Sequence, residues 1–532
     1  MLGALLLLWQ ATPPRPVAPA PREQPALAVL IVVDQMRPDY FTRFGPQFTG
    51  GFRRILDQGI LYLDGRQDHA MTETAPGNST LLSGRSPSST GIVSNDFGVN
   101  DPLYPIVGGG WGDAASPMRF QGTTLYDWML AKDPATRVLS ISRKDRAAIL
   151  PVGRARRDVY WWTRGRWGTS RYYGDSLPAW LQRYNARPGW RRLAGAAWTP
   201  LLPDSAYAER DSVPWENRGK EFTFPHVAPS DTTALAARIV YFPWMDSLTL
   251  DAALEGTRQL GLGRRSEGPD LLVVGLSTTD RVGHDYGPDS KEMHDQLLRL
   301  DRWLAWFADS LGRLVPSDRI IWSLTSDHGI QDWVEHTVER GGAADRPTMQ
   351  PMTLRLRAAM QDRWGSSFGI AQEDGLLYGD TAAMRARGVD IGRLADSLAA
   401  EARLLPGVWR VYTPRTLTRA LRADAEARIW RRGIPVTQGW LVAASVRQGY
   451  VWERTDHGST TLPDQRVPIA FWGMGIPASR VSRPVSTTAI GPTLAAFLGI
   501  HPTEPVTGIV LPEVVPSGGA RLPRRLPPGL HP

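Results

Sequence analysis

Largely apolar runs that each lead into charged or metal-ligating residues constrain this chain more than any other feature. Ala26 to Val33 is apolar throughout and meets Asp34. Leu271 to Leu276 leads to Asp280, Ile320 to Leu324 leads to Asp327 and His328, and Val138 to Ile141 leads to Lys144, Asp145 and Arg146. A run of this length bounded by turn signals reads as a strand buried on both faces. Val467 to Trp472 is a further strand candidate. Between the runs lie helical patterns. Met293, Leu297, Leu300, Leu304, Phe307 and Leu311 recur at three-and-four spacing from Lys291 to Leu314, an amphipathic helix, and Pro492 to Leu498 suits a shorter one. Alternating strands and helices predict an α/β fold with a mostly parallel central sheet flanked by helices. Ligands of such sheets bind outside the carboxyl ends of the strands. Four runs deliver charged or ligand-type residues to that edge.

Composition narrows the chemistry available there. Among 532 residues there is no Cys, which excludes cysteine nucleophiles, thiolate metal sites and disulfides. Any metal must rest on His and carboxylates. The net charge of +8 is scattered, with no long basic run, so no nucleic-acid partner is expected. A mildly positive surface suits small anionic substrates. Nearly all of that charge is Arg, Lys occurring only at Lys132, Lys144, Lys220 and Lys291.

The ends and one internal stretch differ from the rest. Residues 1–25 combine an apolar start, Leu5 to Leu8 and Trp9, with a Pro/Ala-rich linker and the cleavage-like Ala18-Pro19-Ala20. They read as a signal peptide without a basic start, implying a periplasmic or secreted protein. No segment is long and apolar enough to be a transmembrane helix. Residues 26–515 read as one catalytic domain and 516–532 as a Pro/Arg-rich disordered tail. Residues 150–260 are rich in Trp and Tyr, among them Trp162, Trp167, Trp180, Trp190 and Trp198, and read as a cap-like insertion whose aromatics chiefly pack.

The chemistry-bearing residues come in short clusters. Asp280 and His284 stand four apart, Asp327 and His328 are adjacent after a strand, and His457 lies in Asp456-His457-Gly458. Oxygen and imidazole donors without thiolate suit Zn²⁺ or another borderline divalent ion. Singly, an Asp-His pair after a strand is more often a structural pair. Together, in a chain with nine His, the clusters point to metal. Thr74 heads Thr74-Ala75-Pro76-Gly77, just before a stretch that can open a helix. A hydroxyl there serves as an N-cap, or as a nucleophile where helix N–H groups favour phosphate. A threonine attacks well only when a metal ionises it.

These residues resemble the alkaline phosphatase superfamily, in its threonine-nucleophile branch of bacterial phosphate monoesterases, sister to the nucleotide pyrophosphatase/phosphodiesterases. The resemblance rests on Val32-Val33-Asp34-Gln35-Met36-Arg37, the Thr74-Ala75-Pro76-Gly77 turn, Gly91-Ile92-Val93-Ser94-Asn95, Gly283-His284-Asp285-Tyr286-Gly287-Pro288-Asp289-Ser290, Ser326-Asp327-His328-Gly329 and His457-Gly458. It implies two Zn²⁺ per chain, one held by Asp34, Thr74, Asp327 and His328, the other by Asp280, His284 and His457. It further implies that Asn95 hydrogen-bonds a phosphoryl oxygen, and that Lys144 and Arg146 match the Lys-x-Arg pair of the monoesterases. The family's usual His in the turn after the nucleophile is Asn78 here. The expected activity is hydrolysis of small phosphate monoesters through a phosphothreonine on Thr74. A monoester dianion gains more from Lys144 and Arg146 than a diester monoanion does. The alternatives are a phosphodiesterase or nucleotide pyrophosphatase on the same two-metal site, and a non-catalytic phosphate- or metal-binding relative. A sulfatase is disfavoured, because Thr74 cannot become formylglycine.

Overall fold

The computed structural model describes residues 25–108, 114–452 and 456–515. The apolar start with most of its linker, and the tail from 516, lie outside these. Every apolar run named above forms a strand of one large sheet. Leu27–Val33 is central, paired in parallel with Ile320–Thr325 on one side and Asp270–Leu276 on the other; Val138–Ser142 and Asp158–Trp162 continue the parallel block. Antiparallel pairings extend it on both sides, Trp167–Ser170 and then Ile106–Val107 beyond Asp158–Trp162, and Arg466–Gly473 and then Ile60–Arg66 beyond Ile320–Thr325, with the short strands Ser479–Val481 and Val485–Ser486 parallel to Ile60–Arg66 at that edge.

The all-apolar composition of Leu27–Val33 follows from this place. Successive side chains of a strand point to opposite faces, and here both faces are covered. Val29, Ile31 and Val33 join one hydrophobic cluster, and Ala28, Leu30 and Val32 the other. Each large apolar side chain buried in this way contributes roughly 1.5–3 kcal/mol. The first cluster is roofed by the helix Lys291–Gly312, whose Met293, Leu297, Leu300, Leu304, Phe307 and Leu311 are all buried, as the spacing predicts. Ser290 starts this helix, its hydroxyl accepting the Met293 N–H at 3.0 Å. The second cluster is roofed partly by Ile490–Phe497.

Register positions the site. Val33 lies opposite Leu276, Val32 opposite Thr325, and Ser142 opposite Gly275. The four strands therefore end at one level, and Asp34, Lys144, Asp280 and Asp327 all leave the sheet from the same edge.

Of the aromatic segment, Trp162, Trp167, Trp180, Trp190 and Trp198 are buried in the first cluster, continuous with the main core. A second sheet was not separated by the sequence reading. It is antiparallel, in the order Ala371–Glu373, Leu376–Tyr378, Trp440–Val446, Val408–Tyr412, and has its own apolar cluster. Two of its strands span only three residues, too short for a period-two pattern to show. Among the described residues no helix is long and apolar enough to cross a membrane.

Candidate active site

Three strands supply the acidic floor. Asp34 follows Leu27–Val33, Asp327 and His328 follow Ile320–Thr325, and Asp280 sits in the first turn of the helix Thr278–Tyr286 after Asp270–Leu276. His284 is one turn further along that helix. His457 comes from a distant loop. These residues form two groups, Asp34, Asp327 and His328 in one and Asp280, His284 and His457 in the other, with the donor atoms of each within 4.8 Å of one another. All are buried except His284, whose side chain is 26% exposed.

The imidazoles are oriented by their outer nitrogens. Nδ1 of His328 is 2.9 Å from the Gly329 carbonyl, Nδ1 of His457 is 2.9 Å from the Thr72 carbonyl, and Nδ1 of His284 is 3.4 Å from the Asp456 carboxylate. With Nδ1–H donated outwards, a neutral ring at each position would present its Nε2 lone pair inwards. The two Nε2 atoms of His284 and His457 are then 3.3 Å apart, with the Asp280 carboxylate 3.2 Å from the first and 3.9 Å from the second. Nε2 of His328 has no hydrogen-bond partner and faces Asp34 at 3.4 Å. Converging lone pairs and carboxylates in a buried site repel one another unless a cation lies among them. The donor set therefore fits divalent metal.

Electrostatics show the same tension. Burial alone would raise the Asp280 carboxyl pKa, yet Lys144 and the nearby imidazoles hold it well below the usual range. Burial and Asp34 push Asp327 up to about 7. Burial opposes protonation of His284, but Asp280 reverses this and lifts it to about 10, whereas burial and the neighbouring imidazoles drive His457 well below its ordinary value.

Thr74 begins the helix Thr74–Leu81 and is 1% exposed. The helix is pressed onto the floor. A side chain at Gly77 would meet the Asp327 carbonyl at 1.9 Å, which accounts for the glycine in Thr-Ala-Pro-Gly. Asn78 takes part too: its Nδ2 donates to Asp327 at 2.8 Å and to the Thr74 carbonyl at 2.9 Å, tying the helix to a ligand carboxylate. The Lys144 ammonium donates to Thr74 Oγ1 at 3.0 Å and lies 2.8 Å from Asp34 and 2.7 Å from Asp280. Asn95 is fixed by Ala75, whose N–H donates to Oδ1 at 2.9 Å, and by its own N–H, which donates to Glu73 at 2.7 Å.

Arg146 stands differently. Its guanidinium is 3.5 Å from its neighbour Asp145 and is not among the groups contacting Thr74, Asp34 or Asp280. The cation next to Lys144 in this centre is Arg143, 14% exposed, donating to the Ser277 carbonyl at 3.1 Å and 3.9 Å from Asp280.

Sequence reasoning assigned no role to Arg143 or to Gln35. Gln35 follows Asp34 with φ 66°, a left-handed conformation uncommon for a residue other than glycine. Its backbone N–H donates to Asp327 at 3.3 Å and its side-chain Nε2 to Asp280 at 3.1 Å, so one fully buried residue, through backbone and side chain, spans both groups. Its place beside a ligand was the available signal.

Comparisons with known proteins agree with this geometry. The family model for type I phosphodiesterase / nucleotide pyrophosphatase matches residues 28–460. Alkaline phosphatase PafA of Elizabethkingia meningoseptica is 30% identical, the match covering 92% of this chain and 95% of that one. Alkaline phosphatase PhoK of a Sphingomonas species is also 30% identical, over 91% of this chain and 90% of its own. The crystal structure of wild-type PafA superposes with a TM-score of 0.83 at 28% identity, covering 94% of this chain and 100% of that one.

Proposed function

We propose, given that the chain belongs to the type I phosphodiesterase / nucleotide pyrophosphatase family, that it is an alkaline-phosphatase-type enzyme hydrolysing phosphate monoesters through a phosphothreonine on Thr74. The observation that carries this reading is the Thr74 hydroxyl, which lies 3.0 Å from a lysine ammonium itself clamped between Asp34 and Asp280. Two divalent ions, Zn²⁺ by donor type, would be held by Asp34, Thr74, Asp327 and His328 and by Asp280, His284 and His457. When bound, such ions supply the positive charge that ionises a threonine hydroxyl at neutral pH and offsets phosphoryl charge.

The chain's own residues do the rest. Thr74 attacks phosphorus in line with the leaving oxygen and takes the phosphoryl group, and water later releases inorganic phosphate. Lys144 donates to the attacking oxygen and remains beside the transferred group, where charge is spread over the non-bridging oxygens. Asn95 Nδ2 donates to one of those oxygens. Asn78 and Gln35 hold the carboxylates in place. The leader-like start supports export to the periplasm or medium, where small phosphate esters would be the substrates.

A diester reading keeps one observation in its favour. Arg146 pairs with Asp145, so only one cation of the expected Lys-x-Arg pair touches the nucleophile. Acid-quenched single turnover with a labelled aryl phosphate tests the proposal. Label should appear on the Thr74 peptide in the native enzyme and vanish in Thr74→Ala, with turnover falling by several orders of magnitude. Near-normal turnover in that variant would sink the nucleophile assignment.

A further inference from the structure

The aromatic segment encloses a cavity of about 450 Å³ that shares no residue with the centre around Thr74. It lies between the end of Asp158–Trp162, the helix Ala179–Asn185, the first turns of Trp244–Leu260 and the middle of Lys291–Gly312. Its size suits a small molecule. Trp162, Trp167 and Trp190 form one wall, edge to face, with ring centroids 5.5 and 6.1 Å apart. Trp303 and Trp306 also line it, Trp306 being 41% exposed.

The polar groups tell which ligand fits. The neutral side chains able to read sugar hydroxyls are already engaged. Asn185 uses both amide atoms on the Trp167 backbone, at 2.9 and 2.8 Å. The Ser247 hydroxyl donates to the Trp244 carbonyl at 2.7 Å, and the Tyr184 hydroxyl to Asp251 at 2.6 Å. What remains is cationic or donating. The buried Trp162 Nε1 has no partner. Arg187 and Arg192, with Arg166, which also donates to the Gly108 carbonyl at 3.1 Å, line the cavity against a single acid, Asp251. Indole faces take planar rings, and guanidinium groups take anions and stack on such rings.

We propose that this cavity is a second binding site, for a planar aromatic ring bearing an anionic group. It is independent of the nucleophile assignment, so either can fail alone. The closest engineered contrast is within the ligand. Calorimetry on the full protein, with inorganic phosphate saturating the catalytic centre, would use 1-naphthalenesulfonate, whose carbon–sulfur bond the enzyme cannot hydrolyse. It should bind. Neutral 1-naphthalenemethanol, non-planar cyclohexanesulfonate and sulfate should each bind at least about tenfold more weakly, one stacking or charge-assisted contact being lost in each. The pair Arg187→Ala with Arg192→Ala, and the pair Trp303→Ala with Trp306→Ala, should each weaken binding by about tenfold or more. Hydrolysis of a small aryl phosphate should stay within about twofold, since none of these residues reaches Thr74. If the tryptophan pair does not fold, Trp306→Ala alone replaces it. Equal binding of the neutral compound, or unchanged affinity in the arginine pair and at Trp306, overturns the proposal.

Discussion

Lys144 is one of four lysines in the chain, and its ammonium is 2.7 Å from Asp280, 2.8 Å from Asp34 and 3.0 Å from Thr74. Losing a charge-assisted contact of this kind costs ~1.5–3 kcal/mol, or roughly ten- to hundredfold in rate. The double change Lys144→Ala with Arg146→Ala should therefore depress kcat/KM on an aryl phosphate monoester strongly and on the matched diester much less. An unchanged monoester-to-diester ratio would put the diesterase reading first. Because Arg146 leans on Asp145, Lys144→Ala alone should reproduce most of the effect. The residues most legible in the sequence were those whose type is chemically committed, such as the Asp-His pairs and the isolated lysine. Gln35 and Arg143 were not legible. An amide or arginine after a strand is ordinary until the fold shows that it touches two ligand carboxylates, or one from behind.

Neighbouring elements meet through buried carboxylates that serve as caps. Asp301, on the helix Lys291–Gly312, accepts the backbone N–H groups of Thr49, Gly50, Phe52 and Arg53 at 2.8, 2.6, 2.7 and 3.3 Å, capping the helix Gly51–Gln58 from a neighbour. Asp301→Ala strands the buried Gly50 and Phe52 donors and should cost about 1–3 kcal/mol or more, read as a lower urea midpoint with unchanged slope. Asp246 plays the same part between Trp244–Leu260 and Thr278–Tyr286, accepting the Thr278 N–H at 3.1 Å and a Gln296 amide N–H at 2.9 Å. Burial raises its pKa from 3.8 to about 6. The folded chain then binds this proton more readily than the unfolded chain. Its contribution is fully present below pH 3.8 and is lost as pH rises through about 6. Asp246→Asn should remove that part of the pH dependence, so the stability difference between native and variant should change across this window and be flat outside it. The strands of the central parallel block and the helix Lys291–Gly312 were legible because each buries an uninterrupted pattern, whereas the helices Trp244–Leu260 and Gln350–Trp364 were not singled out. The sheet around Leu376–Tyr378 was not legible either, two of its four strands spanning only three residues, shorter than any period they could display.

For the whole molecule, folding drives carboxylates and imidazoles from four distant stretches into one buried space, a cost that bound cations would offset. Chelation should abolish activity and lower the melting temperature together, and Zn²⁺ should restore both. A ligand at a thousandfold excess over its Kd adds ~4 kcal/mol to stability. Activity surviving in protein shown by metal analysis to be empty would refute the two-metal reading. The sequence by itself determined the α/β class and the sheet edge carrying the chemistry, because a strand buried on both faces must be apolar throughout and its first polar residue marks where it ends. It also determined the donor chemistry, since a chain without cysteine has only His and carboxylates to offer a borderline metal. Only the tertiary structure decided which donors meet. Separation along the chain says nothing of distance when Asp280 and His457 are brought together by a loop crossing. It also decided that Lys144 touches Thr74 while Arg146 turns to Asp145, because side-chain direction depends on the packing around each residue. The second sheet and the arginine-rimmed tryptophan cavity were likewise decided there, since a stretch rich in Trp reads the same whether its rings fill a core or line a cavity.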